Sequence, residues 1–243
     1  MSFTYSALGQ NGRLGNQLFQ IACTISTALS HGDTFFFPKW SYEDHFNLHK
    51  CFESNEVVSE NYTQPFFHYQ QILIPDSKSK VIDLKGFFQS EKFFKDHERA
   101  MRFALTPNDV PATQMDKCSI HVRRGDYLKF KDAHPAASLK YYQSAMKKIS
   151  CSKYVVFSDD IQWCKENFVG DQFEFSEGKT EIEDLIYMMS MEHNIIANSS
   201  FSWWAAYLNK NPNKKIVAPK IWFGSALQDH DIKDLIPSDW ICI

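Results

Sequence analysis

The sequence has no CxxC pair, no cysteine–histidine spacing suited to a metal, and no apolar run near the ~18 residues a membrane-spanning helix needs. It also lacks G-x-G-x-x-G and G-x-x-x-x-G-K-[ST], the two common nucleotide fingerprints. Its first residues do not follow the basic-then-apolar pattern of a secretory signal, so a soluble intracellular chain is expected. Excess positive charge is missing too: 26 Lys and Arg stand against 29 Asp and Glu, a formal net charge of −3. That argues against nucleic acid as a partner, because binding a polyanion through bulk electrostatics needs a basic field. Any anionic ligand must be held by a local cluster of cations. No internal repeat or low-complexity segment appears. The six cysteines, at 23, 51, 118, 151, 164 and 242, read as reduced thiols of a cytosolic protein, several packed as small hydrophobes. What the chain does have is apolar and aromatic mass. With 44% hydrophobic residues, including 21 Phe, 243 residues can build a substantial core.

From residue 117 onward strands and helices alternate. Strands are expected over 117–124, 154–158, 173–175, 194–197 and 215–218, and helices over 135–149, 161–168, 180–192 and 200–208. The helix at 180 opens with a capping box, Thr180 followed by Glu183. Such alternation implies a parallel sheet, with ligands at the carboxyl ends of its strands. The first part reads as a strand over 3–8, a glycine-bearing loop, a helix over 16–31 and a strand over 34–37. Residues 38–80 are less regular, and 86–89 read as another strand leading into a helix near 90–104. Residues 105–116, with two prolines and no periodicity, are the linker candidate. The expected architecture is α/β, with two halves divided at residues 1–110 and 111–243 and a cleft between them.

Four stretches fall at expected strand ends. GQNGRLGNQ (9–17) is a glycine-rich loop entering a helix; it can be turn chemistry, or a place where backbone and helix N-terminus approach a ligand. SIHVRRGDY (119–127) ends a buried strand in two arginines, which would repel unless an anion lies beside them. Salt bridges to Asp126 and Asp132 would satisfy them; so would a phosphate, which guanidinium forks bind bidentately. FSDD (157–160) places two carboxylates after a strand, either capping the next helix through Ser158 or Asp159 or accepting paired N–H donors such as a guanine edge offers. NSSFSWW (198–204) runs into a helix through small hydroxyl residues, which suits capping or a phosphate, while Trp203 and Trp204 suit helix packing.

HVRRGDY (121–127) resembles the HxRRxD signature shared by the α-1,2-, α-1,6- and protein-O-fucosyltransferases. With GRLGNQLFQ (12–20), GFFQSEKFF (86–94), FSDD and NSSFSWWAAYL (198–208), in that order, the chain resembles the α-1,2-fucosyltransferase family. The resemblance implies a GT-B fold of two facing Rossmann-like domains, the first (1–110) on the acceptor side and the second (111–243) binding GDP-fucose. It implies transfer of L-fucose, with inversion, from GDP-β-L-fucose to the 2-hydroxyl of a terminal galactose in a glycan acceptor. It implies no cofactor and no obligatory metal.

By position, Arg123 would hold the β-phosphate with Arg124 in support, and His121 and Asp160 would lie near the guanine. Ser199 and Ser200 would meet the diphosphate; Arg13 and Asn16 would reach the diphosphate or the sugar. Asp126 is the candidate base if the acceptor needs one. An α-1,6 or protein O-linked transferase, or a non-catalytic glycan- or nucleotide-binding module, are the alternatives. With no anchor segment read, such an enzyme would work in the cytoplasm and be bacterial or viral.

Overall fold

The computed structural model describes residues 1–48, 51–52, 57–74 and 80–243. They form two compact units, residues 1–108 with 231–237, and residues 109–230 with 238–243. The sequence assigns all of 111–243 to the second domain; the structure instead groups 231–237 with the first unit. Long-range pairs account for this. Asp234 accepts the backbone N–H of Tyr69 at 3.2 Å and pairs with Lys92, and Asp231 faces His68 at 3.4 Å.

The first unit comprises β1 (Ser2–Thr4), α1 (Leu14–His31), β2 (Thr34–Phe36), β3 (Glu60–Thr63), β4 (Val81–Lys85) and α2 (Glu98–Leu105). Its sheet runs β2-β1-β4-β3 with every pair parallel. The helix α1 is a core helix, with Leu18, Phe19, Ile21 and Ala22 fully buried, so its apolar run outweighs the lack of a side-chain cap at Arg13.

The strand expected over 3–8 stops at Thr4, because residues 5–10 fold back through Leu8 N–H to Tyr5 O and Gln10 N–H to Ala7 O, both 3.0 Å. The strand expected over 86–89 is a loop. Phe88 sits at φ 50°, and the N–H groups of Phe87 and Phe88 both donate to Gln64 Oε1 at 3.0 and 2.9 Å. After it the expected long helix is two 3₁₀ turns, Glu91–Phe93 and Lys95–His97, before α2 begins.

The second unit comprises β5 (Gln114–Val122), α3 (Leu139–Met146), β6 (Lys153–Ser158), α4 (Ile161–Asn167), β7 (Phe173–Phe175), α5 (Glu181–Met189), β8 (Met191–Ile195), α6 (Ser200–Leu208), β9 (Ile216–Ala218) and β10 (Ile241–Cys242). All pairs are parallel, in the order β10-β9-β8-β5-β6-β7. Alternation along β5 sorts its side chains. Cys118, Ile120 and Val122 pack with Tyr142, Ala145 and Ile149 from the α3 side, and His121 faces the other way, its ring 5.6 Å from Phe201 of α6.

The chain moves outward through β5, β6 and β7, then returns to place β8 on the other side of β5. The reversal between β5 and β8 is the topological switch point, where ligands of open parallel sheets bind. Trp203 and Trp204 are fully buried, and all six cysteines are free thiols. No helix among the described residues is long and apolar enough to cross a membrane.

The capping box expected at α5 is present: Glu183 N–H donates to Thr180 Oγ1 at 3.3 Å, and Thr180 N–H to Glu183 Oε2 at 2.7 Å. Thr180→Ala is expected to lower the unfolding free energy by about 1 kcal/mol, read from the urea midpoint at unchanged m-value. No shift of the midpoint would show that the box carries no stability.

Candidate functional site

Strand β5 ends at Val122, so Arg123 and Arg124 leave the sheet side by side at the switch point. Carboxylates answer both. Arg123 pairs through Nη2 with Asp126 Oδ1 at 2.6 Å and through Nη1 with Asp159 Oδ2 at 2.9 Å. Arg124 pairs through Nε with Asp160 Oδ2 at 3.0 Å, and its guanidinium lies 3.9 Å from the ring centroid of Trp163. The other oxygen of Asp159 accepts the backbone N–H of Arg124 at 2.9 Å.

Asp126 is thus an ion-pair partner, as one reading of the sequence has it, but the other partners are Asp159 and Asp160 rather than Asp132. The register explains why. Val122 is level with Ser158 across the parallel pair β5–β6, so residues 123–124 and 159–160 emerge together. Gly125 leaves room for the Asp159 carboxylate, whose Oδ2 would lie 2.6 Å from a Cβ at that position and would have to shift. The cap of α4 is Asp160, not Ser158 or Asp159; its Oδ1 accepts Trp163 N–H at 3.3 Å while Oδ2 holds Arg124.

Across the switch point, β8 gives way to Asn198, Ser199 and Ser200. Ser199 is the N-cap of α6 and makes no side-chain bond to it, so neither its hydroxyl nor that helix's first N–H groups are tied to each other. Asn198 is anchored by Nδ2 to the carbonyls of Pro135 and Trp222, both at 2.9 Å, while its Oδ1 is buried without a partner among the described residues.

His121 is buried on the α6 face of β5. Burial pushes its imidazole down to about 4; the Asp159 carboxylate opposes that shift and Arg123 adds to it. The ring is therefore neutral near pH 7, and its buried Nδ1 has no partner among the described residues. Among those residues no group of three or more His, Cys, Asp or Glu is placed to hold a metal ion.

The structure brings His121, Arg123, Arg124, Asp126, Asp160, Ser199 and Ser200 together around the carboxyl ends of β5, β6 and β8. Arg13 and Asn16 belong to the first unit. There Arg13 is the extended residue before α1, and Asn16 Oδ1 accepts Gln89 Nε2 at 2.8 Å. Gly12, at φ 82°, leaves room for Asn16, whose Nδ2 would lie 2.4 Å from a Cβ at that position. Sequence reasoning read Asp159 within FSDD and Asn198 within NSSFSWW but gave neither the role seen here, and it assigned no site role to Trp163, Tyr127 or Gln89. The strand register would have found Asp159; the others depend on tertiary packing.

The lowered His121 titration has a measurable consequence. The unfolded chain binds a proton near pH 6.5 and the native one only near pH 4, so stability falls as pH drops through that window. The stability difference between wild type and His121→Asn should shrink by about 3 kcal/mol between pH 7 and pH 4. Denaturant titrations at the two pH values test this, and a difference independent of pH would refute it.

The chain is similar to known proteins in sequence and in fold. Residues 8–243 match the model of glycosyl transferase family 11. Curated relatives include an alpha-1,2-colitosyltransferase of Escherichia coli, 32% identical over 191 residues, covering 70% of this chain and 65% of the relative. The O-antigen biosynthesis glycosyltransferase WbnK of Escherichia coli is 35% identical over 116 residues, covering 43% and 38%. The galactoside 2-alpha-L-fucosyltransferase Sec1 of Mus musculus is 25% identical over 236 residues, covering 81% and 62%. The chain thus spans between 38% and 65% of the length of these three relatives. Among solved structures, fucosyltransferase NodZ from Bradyrhizobium superposes with a TM-score of 0.52 at 12% identity, over 85% of this chain and 93% of that one. The likeness shows a shared α/β fold of the GT-B type. The chain belongs to glycosyl transferase family 11.

Proposed function

We propose that this protein transfers L-fucose, with inversion, from GDP-β-L-fucose to the 2-hydroxyl of a terminal galactose on a glycan acceptor. The observation that carries the reading is the pair Arg123 and Arg124, preorganised by three carboxylates at the switch point and set across it from the N-terminus of α6. Breaking the fucosyl–phosphate bond sends its electron pair to GDP, so charge grows on the β-phosphate. Donors already in place stabilise that charge without reorganising.

Arg123 takes the β-phosphate by exchanging its carboxylate partners for phosphate oxygens. Arg124, braced by Asp160 and Trp163, supports the diphosphate. Ser199 and Ser200 meet it from α6, and His121 and Asp160 face the guanine. Asp126, released from Arg123 when the diphosphate arrives, is the candidate to receive the proton of the attacking hydroxyl. Two guanidiniums and a helix N-terminus supply the positive charge a divalent cation would otherwise give, so transfer should persist in EDTA. The similarity to the colitosyltransferase favours a second reading in which the donor carries colitose instead of fucose.

The test is incubation with GDP-fucose or GDP-colitose and lactose in the presence of EDTA, with GDP release and product linkage followed by NMR. A fucosyl linkage at galactose O2 supports the first reading, and transfer from GDP-colitose alone supports the second. Transfer to another position of the sugar, or from neither donor, would overturn both. In the same assay Arg123→Ala is expected to lower kcat/KM at least about 100-fold, or ~2.7 kcal/mol, with the fold intact. Arg123→Lys should not restore it, because an ammonium cannot make the bidentate fork. Near-normal turnover in the alanine variant would remove Arg123 from the mechanism. Arg13→Ala and Asn16→Ala test the donor roles assigned to those residues.

A further inference from the structure

Tyr127 stands just beyond the arginines, in a single 3₁₀ turn spanning Asp126–Leu128, and it makes two contacts within its own loop and one to a residue 71 positions away. Its hydroxyl donates to the backbone carbonyl of Asn198 at 2.9 Å. One face of its ring lies on His134, with centroids 5.1 Å apart and planes at 21°. The guanidinium carbon of Arg123 is 5.4 Å from the ring centroid. Asn198 is itself a fixed point, 1% exposed and held through Nδ2 to Pro135 and Trp222. The residues that follow it are Ser199 and Ser200, at the head of α6.

We infer that Tyr127 is a positioning residue for a nucleoside diphosphate, with its hydroxyl tying the arginine loop after β5 to the serine loop after β8 across the switch point. The inference rests on the proposed GDP-sugar donor and adds the residue that sets the spacing of its two phosphate-facing elements.

The two elements offer different groups to an anion. Arg123 brings a guanidinium, and α6 brings N–H groups and hydroxyls. A terminal phosphate oxygen can use both only if their separation is held, because each hydrogen bond weakens steeply away from its ideal distance and angle. Parallel strand pairing fixes β5 and β8 as far as Ile120 and Ile195, and the loops beyond are free of the ladder. The bond from Tyr127 to Asn198 O crosses that gap next to the arginines, whereas the bond from Asn198 Nδ2 to Pro135 O crosses it farther along the same loop; the ring gives Arg123 a surface to rest on when its carboxylates exchange for phosphate.

Ring and hydroxyl can be separated by substitution. Tyr127→Phe keeps the contacts with His134 and Arg123 and deletes the tie to Asn198. Tyr127→Leu deletes both. The readout is the ratio of GMP to GDP dissociation constants, measured by calorimetry on the whole chain without acceptor, since that ratio isolates the β-phosphate.

Wild type should prefer GDP. Tyr127→Phe should lower the preference about fivefold, in keeping with one neutral hydrogen bond, while leaving GMP affinity within about twofold. Tyr127→Leu should lower the preference further. A merely structural role would weaken both nucleotides together or lower the melting temperature without changing the ratio, and either result would overturn the inference. An unchanged ratio in Tyr127→Phe would overturn it while leaving the GDP-sugar reading intact. Wild type that binds neither nucleotide would overturn that reading, and the positioning role with it.

Discussion

Two guanidiniums side by side at the end of a buried strand repel one another. For two unit charges 4 Å apart at an effective dielectric near 20, such repulsion is about 4 kcal/mol. The carboxyl edge of the second unit is organised around that repulsion. Asp159 neutralises Arg123 with one oxygen, and with the other it accepts the backbone N–H of Arg124 and so fixes the loop. Asp126 and Asp160 complete the pairing, one from the arginines' own loop and one from the cap of α4. The level register of β5 and β6 makes this possible, and Gly125 keeps the space that the Asp159 carboxylate occupies. A side chain at 125 would press on Asp159 and disturb its bonds to Arg123 and to the backbone N–H of Arg124.

Three carboxylates around two arginines also bear on what the site can bind. Its local charge is not strongly positive, in keeping with a chain whose formal net charge is −3. On the proposed function, the diphosphate would therefore exchange with Asp126 or Asp159 rather than fall into an open cationic field. A diphosphate, with several oxygens and more than one charge, can replace two carboxylate contacts at once, whereas a lone carboxylate can replace only one. Neutral His121 adds no charge to this exchange. On the same reading, this competition would favour a multiply charged ligand, and the N-terminus of α6, which Ser199 does not cap through its side chain, would add donors.

The sequence carried the strand–helix alternation of the second unit, the Thr180 capping box and the placing of the motifs at strand ends, because each depends on residues close together in the chain. Where it misled, the deciding partner was distant. GFFQ has the composition of a strand, yet the amide of Gln64 takes the N–H groups of Phe87 and Phe88 and turns the segment into a loop. Asp132 looked as suitable a partner as Asp126 because it is near in sequence; the register chose Asp159. Edge strands β3 and β10 are four and two residues long, too short for any alternation to show. Residues 231–237 return to the first unit through Asp234 and Tyr69, a pairing across 165 positions that no local pattern announces.

Motif residues in this chain divide into those that present groups and those that hold other motif residues in place. In the first unit, GRLGNQ and GFFQ meet through the bond from Gln89 to Asn16, and Gln17 and Gln20 turn their amides back onto the carbonyls of Gly12 and Asn11. Trp40 in turn fixes Gln17 through its indole N–H at 2.7 Å. These amides stiffen the loop that carries Arg13, so the glycines beside it shape a defined turn instead of a flexible one. The same division holds in the second unit, where Trp203 and Trp204 are fully buried and anchor α6 while Ser199 and Ser200 stand at its head. A motif spelled NSSFSWW therefore combines a presenting part and a packing part. Replacing its tryptophans would act first on the packing of α6 and the stability of the unit, not on the groups at the head of the helix.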